Sequence, residues 1–219
     1  MGAKKSTITK DKIASMYMNF RLENIGKLKS VYQFAKTNSF DETIFYSYFA
    51  NVENLEKEVF KIFLEKTLEL IQKDSNYESY DTKSKMLSFY FTFFEILSAN
   101  RSYVTMSLKE HQNPLKNLTQ LSSLKSGFRQ YVLEIYSNQE LMKNEKIQIF
   151  QKKALQETAW IQLLMTLKFW LSDESPAFEK TDIYIEKSVK LSFELMNSAP
   201  LDSLIDFGKF IYKEKIQNI

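Results

Sequence analysis

The sequence predicts an all-α protein, and two observations support this prediction. Glycine and proline are rare, with four glycines and three prolines in 219 residues, so long uninterrupted helices are expected rather than turn-rich β structure. Apolar residues also recur at the spacings of amphipathic helices along most of the chain. We therefore expect nine or ten helices.

The shortest predicted helices come first in the chain. A first amphipathic helix covers residues 9–24 and is expected to stop at Gly26, which can adopt a left-handed conformation. A second helix covers residues 29–36, and a third, capped by Asp41, ends near Tyr48. Three short helices, two of them joined by a tight turn, are typical of a helix-turn-helix unit.

Longer helices follow and predict a bundle. The expected spans are 52–73, 86–97, 101–109, 115–137, 146–172, 181–196 and 201–216. The span 86–97 is apolar nearly all round, so we expect it in the middle of the bundle. The stretch from Asp173 to Pro176 is the clearest loop of the second half.

The composition excludes several classes of site. There is no cysteine, and no apolar stretch reaches the roughly 18 residues that a membrane span needs, so we expect a cytoplasmic protein without disulfides. His111 is the only histidine and lies beside Pro114 in an expected connection. No catalytic arrangement or metal-ligand spacing is present, which predicts a protein that is not an enzyme and needs no cofactor.

The charge is concentrated near the N-terminus. Basic residues exceed acidic ones by four within residues 1–50, whereas the whole chain has a net charge of +3. Clustered lysines suit the neutralisation of phosphates, and a solvated charged surface is the alternative interpretation.

A longer motif lies around the third helix. In the segment 40–55, Tyr46, Tyr48, Phe49, Glu53 and Leu55 form a pattern that resembles the TetR family of bacterial transcriptional regulators. The resemblance lies within the first quarter of the chain, from Val31 to Leu55, with Gly26 before it. It implies a homodimer with a helix-turn-helix DNA-binding domain at residues 1–51 and a helical ligand-binding and dimerisation domain at residues 52–219.

The resemblance also implies which residues contact DNA. Ser30 and Tyr46 would contact phosphates with nearby basic residues, and two small polar residues would face the groove. The implied set is Lys27, Lys29, Ser30, Thr43, Tyr46 and Ser47. The chain departs from the family at Asp41 and Glu42, which are acidic, and at Val52, which replaces a phosphate-binding lysine. The alternative is that the unit persists as a structural cap in which Asp41 serves only as an N-cap.

The residues after the first four helices supply candidates for a ligand site. Large apolar groups and a few polar ones suit a pocket for a hydrophobic small molecule or lipid, although a core role is the alternative. The candidates are Tyr90, Phe94, Glu95, Met106, Trp160 and Met165. The segment 169–181 also faintly resembles TetR-fold lipid-binding proteins of ubiquinone biosynthesis, although Asp173 and Thr181 are equally suited to capping helices.

Two apolar stripes on the last long helices are candidates for association. By the resemblance, these helices pair across a two-fold axis. The candidate residues are Leu163, Leu167, Ile185, Val189, Ser192 and Met196. The alternative is that both stripes are used by the core of a single protomer.

These observations predict a TetR-like DNA-binding repressor controlled by a hydrophobic small molecule. The alternative prediction is a TetR-fold lipid-binding or interaction protein that has lost DNA binding.

Overall fold

The fold is all-α, as predicted. A computed structural model describes residues 8–24, 26, 28, 30–110, 114–137 and 145–198, and these ranges contain ten α-helices and no strand. Short 3₁₀ turns lie at Tyr77–Ser79 and Pro176–Phe178. The helices are α1 Lys10–Glu23, α2 Val31–Thr37, α3 Glu42–Tyr48, α4 Val52–Ile71, α5 Thr82–Ala99, α6 Arg101–Leu108, α7 Pro114–Thr119, α8 Ser122–Ile135, α9 Glu145–Leu171 and α10 Glu179–Ser198.

The first two helices and the turn before α3 pack around one aromatic ring. Phe34 of α2 is buried and meets Tyr17, Phe20 and Phe40 edge to face, at centroid distances of 5.7 to 6.4 Å. Such contacts add to the stabilisation that apolar burial supplies. Gly26 has φ +107°, so a residue with no Cβ stands where the chain turns after α1, in agreement with the sequence.

The remaining helices form a bundle centred on α5. Phe89 is fully buried, and its ring centroid lies 5.0 Å from those of Phe128 and Tyr131 and 5.4 Å from that of Phe93. Helix α4 packs against α5 and α8, while α10 packs against α5 and α9. The central position predicted for residues 86–97 is therefore confirmed.

Two predicted helix boundaries were wrong. The span 115–137 is divided into α7 and α8, because Gln120 and Leu121 turn inward and are buried. The Gln120 amide accepts a hydrogen bond from the buried Ser107 hydroxyl, and this tertiary contact fixes the break. Helix α5 begins earlier than predicted because Asp81 caps it, accepting a hydrogen bond from the Ser84 amide. The helix predicted at 201–216 lies outside the described residues, as does His111.

A buried group of charged and phenolic side chains joins the first helix to the bundle. Arg21 of α1 is 7 % exposed, and its Nη1 lies 2.8 Å from the carboxylate of Glu56 in α4, which is 6 % exposed. The Tyr17 hydroxyl donates to the same carboxylate at 2.6 Å. The second Arg21 nitrogen lies 3.2 Å from Glu110, just after α6. Three parts of the fold therefore meet at Arg21.

Among the described helices, none is both long and apolar enough to cross a lipid bilayer.

The Arg21 contact leads to a stability prediction. Glu56→Gln should lower the free energy of unfolding by about 3 kcal/mol, because it leaves a buried guanidinium without its closest countercharge. Urea unfolding at a fixed protein concentration measures this change. Glu65→Gln removes an exposed carboxylate 3.6 Å from Lys61 on the same helix and should cost less than about 1 kcal/mol. Equal effects of the two substitutions would contradict the role given to Glu56.

Candidate functional site

The third helix presents polar side chains to solvent. Tyr46 is 53 % exposed, and Thr43 and Ser47, one helical turn apart, are also exposed. Ser30 caps α2 by accepting a hydrogen bond from the Gln33 amide at 3.2 Å. These four residues of the implied DNA-binding set therefore lie on or beside the helix-turn-helix unit. Lys27 and Lys29 lie outside the described residues.

Asp41 has a structural role at the start of α3. Its carboxylate accepts hydrogen bonds from the Thr43 amide at 2.8 Å and the Thr43 hydroxyl at 2.6 Å. These bonds, the one from the hydroxyl above all, hold the pKa of Asp41 below its usual range, so the group is ionised at neutral pH. Because the Thr43 proton is directed to Asp41, the outward side of the Thr43 hydroxyl offers a hydrogen-bond acceptor.

The start of α4 lies beside this surface. Asn51 caps the helix by accepting from the Asn54 amide at 2.7 Å, and Val52 is the first helical residue. Val52 is half-buried and packs on the edge of the core. The chain thus has an apolar residue at the position where the family resemblance implies a cation.

A cleft lies between α5, the end of α9 and the start of α10. It has a volume of about 260 Å³. Its walls combine aromatic rings with carboxylates and two hydroxyls. The lining residues are Phe91, Phe94, Glu95, Ser98, Trp170, Ala177, Phe178, Thr181 and Asp182.

The loop that closes this cleft is organised by Asp173. Its carboxylate accepts four hydrogen bonds, from the amides and hydroxyls of Ser175 and Thr181, at 2.6 to 2.9 Å. Burial alone would raise the pKa of Asp173, but these bonds outweigh burial and lower it to about 2. Asp173 and Thr181 therefore act within the loop, as the capping interpretation predicted.

Arg101, the first residue of α6, also stabilises this loop. Its guanidinium lies 4.5 Å from the ring centroid of Trp170 and 4.4 Å from that of Phe178, and donates to the carbonyl groups of Trp170 and Asp173. Ala177 and Phe178 both have positive φ, +51° and +61°, which costs about 1 kcal/mol or more per residue. The aromatic wall is therefore held in place by specific contacts.

The structure separates the predicted ligand-binding residues. Phe94 and Glu95 line the cleft, but Glu95 is exposed rather than enclosed in the bundle. Tyr90 is fully buried, its ring stacks on Phe94, and its hydroxyl has no hydrogen-bond partner. The other three residues lie elsewhere: Met106 on α6, Trp160 against Phe128, and Met165 on the outer side of α9. The cleft therefore contains two of the six candidates, Phe94 and Glu95, and a ligand site formed by the full set stays a prediction.

Sequence reasoning did not select Trp170, Phe178 and Asp182 as ligand contacts. All three border the Asp-Glu-Ser-Pro loop, and the segment 169–181 was already distinctive in the sequence. The sequence signal that could have identified these three residues is the presence of aromatic and acidic side chains on both sides of one loop.

The predicted dimerisation residues divide into two groups. Leu163, Leu167, Ile185 and Val189 are all buried within the protomer. They belong to its core, as the alternative interpretation of these stripes expects. Ser192 and Met196 are partly exposed, although the Ser192 hydroxyl donates to Gln162 at 3.0 Å. A different set of apolar residues on α9 and α10 is exposed: Ile161, Met165, Leu191 and Leu195.

Comparison with known proteins assigns the fold to a family. A family model described as tetracyclin repressor-like, C-terminal domain, matches residues 85–211, which is more than half of the chain. The chain belongs to the TetR family. No curated protein matches this TetR-family chain. The matched region begins inside α5 and includes the whole cleft, so the cleft belongs to the TetR-type C-terminal domain.

The Asp173 hydrogen bonds lead to a pH prediction. Because the pKa of Asp173 is lowered on folding, its stabilisation is present above about pH 4, the ordinary aspartate value, and is lost as the pH falls toward 2. Asp173→Asn should destabilise the protein by about 1 to 3 kcal/mol at pH 7 and should abolish that part of the pH dependence. Thermal unfolding between pH 2 and pH 7 measures both effects. An unchanged pH profile in the variant would contradict the assignment.

Proposed function

We propose that this TetR-family protein is a DNA-binding transcriptional repressor that works as a homodimer and is controlled by a small molecule bound in its C-terminal domain. The observation that carries the DNA proposal is the single exposed face of α3, where Thr43, Tyr46 and Ser47 stand free of the core. In this proposal residues 1–51 are the DNA-binding domain and residues 52–219 bind the ligand and the second protomer.

The chemistry of α3 indicates how DNA would be contacted. The Tyr46 hydroxyl can donate to a phosphate, with Ser30, Lys27 and Lys29 as further backbone contacts. The Thr43 and Ser47 hydroxyls donate internally, to Asp41 and to the Ile44 carbonyl, so they offer acceptors outward. Acceptors suit the amino groups of cytosine and adenine in the major groove.

The outer face of α9 and α10 supports the dimer proposal. Ile161 and Met165 are one turn apart on α9, and Leu191 and Leu195 are one turn apart on α10. All four are about half exposed or more. The rings of Phe169 and Tyr184 stack at 4.5 Å between the two helices. A second copy that packed the same two-helix face would bury these side chains in an isologous interface.

Helix α6 supplies a physical connection for ligand control. Arg101 at its start holds the cleft wall, and Glu110 just beyond its end is paired with Arg21 of α1. A ligand that favours one position of α6 would therefore favour one placement of the DNA-binding domain.

One observation favours a second candidate function, a TetR-fold lipid-binding or interaction protein without DNA binding. Asp41 and Glu42 place two carboxylates at the start of α3, and Val52 supplies no charge to a phosphate.

The cleft volume of about 260 Å³ favours a small ligand over a long lipid chain.

Two substitutions test the DNA proposal. Tyr46→Ala should weaken binding to all sequences by about tenfold, because it removes a hydrogen bond to a charged phosphate. Val52→Lys should strengthen binding and increase the salt slope by about 0.9, because it adds one phosphate contact. Fluorescence anisotropy with genomic fragments, including DNA upstream of the gene itself, measures both.

The control for the added lysine is Leu70→Lys, which places the same charge at an exposed position in the last turn of α4. This variant should leave the salt slope unchanged. An equal increase for the two lysine variants, or an unchanged affinity of Tyr46→Ala, would contradict the proposed DNA surface.

A further substitution tests the dimer face. Met165→Glu should shift the protein from dimer to monomer, because the interface would bury an unpaired carboxylate. Light scattering coupled to size-exclusion chromatography measures the mass. Leu70→Glu is the matched control, since Leu70 is similarly exposed on α4 and lies outside this face. A monomeric parent protein, or two variants with the same mass as a dimeric parent, would contradict the proposed interface.

A further inference from the structure

The cleft between α5, α9 and α10 has an unusual combination of walls. The partly exposed Phe91 and Phe178 offer aromatic rings to it, whereas the lining rings of Phe94 and Trp170 are almost fully buried. Glu95 of α5 and Asp182 of α10 add two carboxylates. Both are on exposed residues, and neither forms an ion pair or hydrogen bond with a described residue. The cleft therefore has two carboxylates that are not paired directly with a basic side chain of the described part of the protein.

Further carboxylates lie near Asp182. Burial raises the pKa of Asp182, and so do the nearby carboxylates of Glu186, Asp173 and Glu179. Among the residues that the structure describes, no lysine or arginine lines the cleft. A positive ligand would relieve the repulsion among these groups.

The aromatic wall already binds a cation on another side. Arg101 does not line the cleft, yet its guanidinium lies within 4.5 Å of the Trp170 and Phe178 ring centroids. The faces of aromatic rings attract cations because their quadrupole is negative there. The rings are also held rigidly, since the Trp170 indole donates to Ser98 at 3.0 Å and the Asp173 bonds fix the loop. Rigid rings lose little freedom when a ligand binds.

We propose that this cleft is a binding site for a small organic cation, with a quaternary or tertiary ammonium group held between the partly exposed rings of Phe91 and Phe178 and the carboxylates of Glu95 and Asp182. The volume of about 260 Å³ accommodates a ligand of the size of choline. A metal ion fits less well, because the described residues contain no group of three or more metal-binding side chains and the walls are largely aromatic. An anion would be repelled.

This inference rests on the proposed function only in identifying the cleft as the ligand site. It names the class of ligand and requires nothing of the DNA surface. Binding can therefore be measured without DNA, and a failure here would leave the DNA proposal standing.

The experiment uses the two tryptophans of the chain as reporters. Trp170 lines the cleft, whereas Trp160 packs against Phe128 and serves as an internal reference. In ¹⁵N-labelled full-length protein, choline should shift the indole signal of Trp170 saturably and leave that of Trp160 unmoved. The neutral isostere 3,3-dimethylbutan-1-ol has the same shape without the charge, and it should bind at least about tenfold more weakly.

Substitutions of three exposed acidic residues distinguish a direct contact with the ligand from the long-range electrostatic effect of a nearby charge. Glu95→Gln and Asp182→Asn should each weaken choline binding by about fivefold, because each removes a countercharge from the wall. Glu186→Gln removes the same charge from α10 at a residue that does not line the cleft, and it should change the affinity by less than about twofold. An unmoved Trp170 signal, equal binding of choline and the alcohol, or equal losses in all three variants would overturn the proposal.

Discussion

The placement of the N-terminal helices on the bundle depends on the buried contact of Arg21 with Glu56, Tyr17 and Glu110. Burial favours the neutral form of an arginine, but the bonds and charges of its partners keep the pKa of Arg21 raised. Removing one partner leaves an unpaired charge in a poorly solvated part of the interior. The loss of one contact therefore weakens the other contacts of Arg21 as well. The contact joins α1, α4 and the end of α6, and it therefore fixes where the surface of α3 stands relative to the C-terminal helices.

The same helix, α6, links the two candidate sites. It is only eight residues long, about 12 Å by the rise of an α-helix, with Arg101 at the aromatic wall and Glu110 just beyond the far end. Arg101 contacts the aromatic wall and two carbonyl groups, and Glu110 pairs with Arg21, so α6 connects the cleft to α1. The charges of the two sites are also opposed, since carboxylates dominate the cleft whereas the N-terminal quarter of the chain is basic. DNA and an organic cation would thus be attracted to different parts of one protomer.

Local signals in the sequence predicted most of the helices. Asp41 and the polar turn before α3 are local signals that act over three or four residues, and the structure has both where the sequence indicates. The division between α7 and α8 was missed because it depends on the burial of Gln120 against Ser107, a contact between separate elements. The burial of four dimerisation candidates was missed for a related reason. Helices α9 and α10 each carry two apolar sides, and periodicity finds apolar residues without telling whether Leu163 or Met165 faces the core.

The central claim, that paired α3 helices bind DNA, is tested most directly by footprinting on DNA that the purified protein selects from a random library. A homodimer predicts enrichment of a site with two-fold symmetry. It also predicts two protected blocks whose centres lie about one helical turn, roughly 10 base pairs, or a multiple of it apart. Protection should weaken steeply as salt is raised. If no sequence is enriched and no protection is seen even at low salt, the claim is contradicted and the chain is a TetR-fold protein that does not bind DNA.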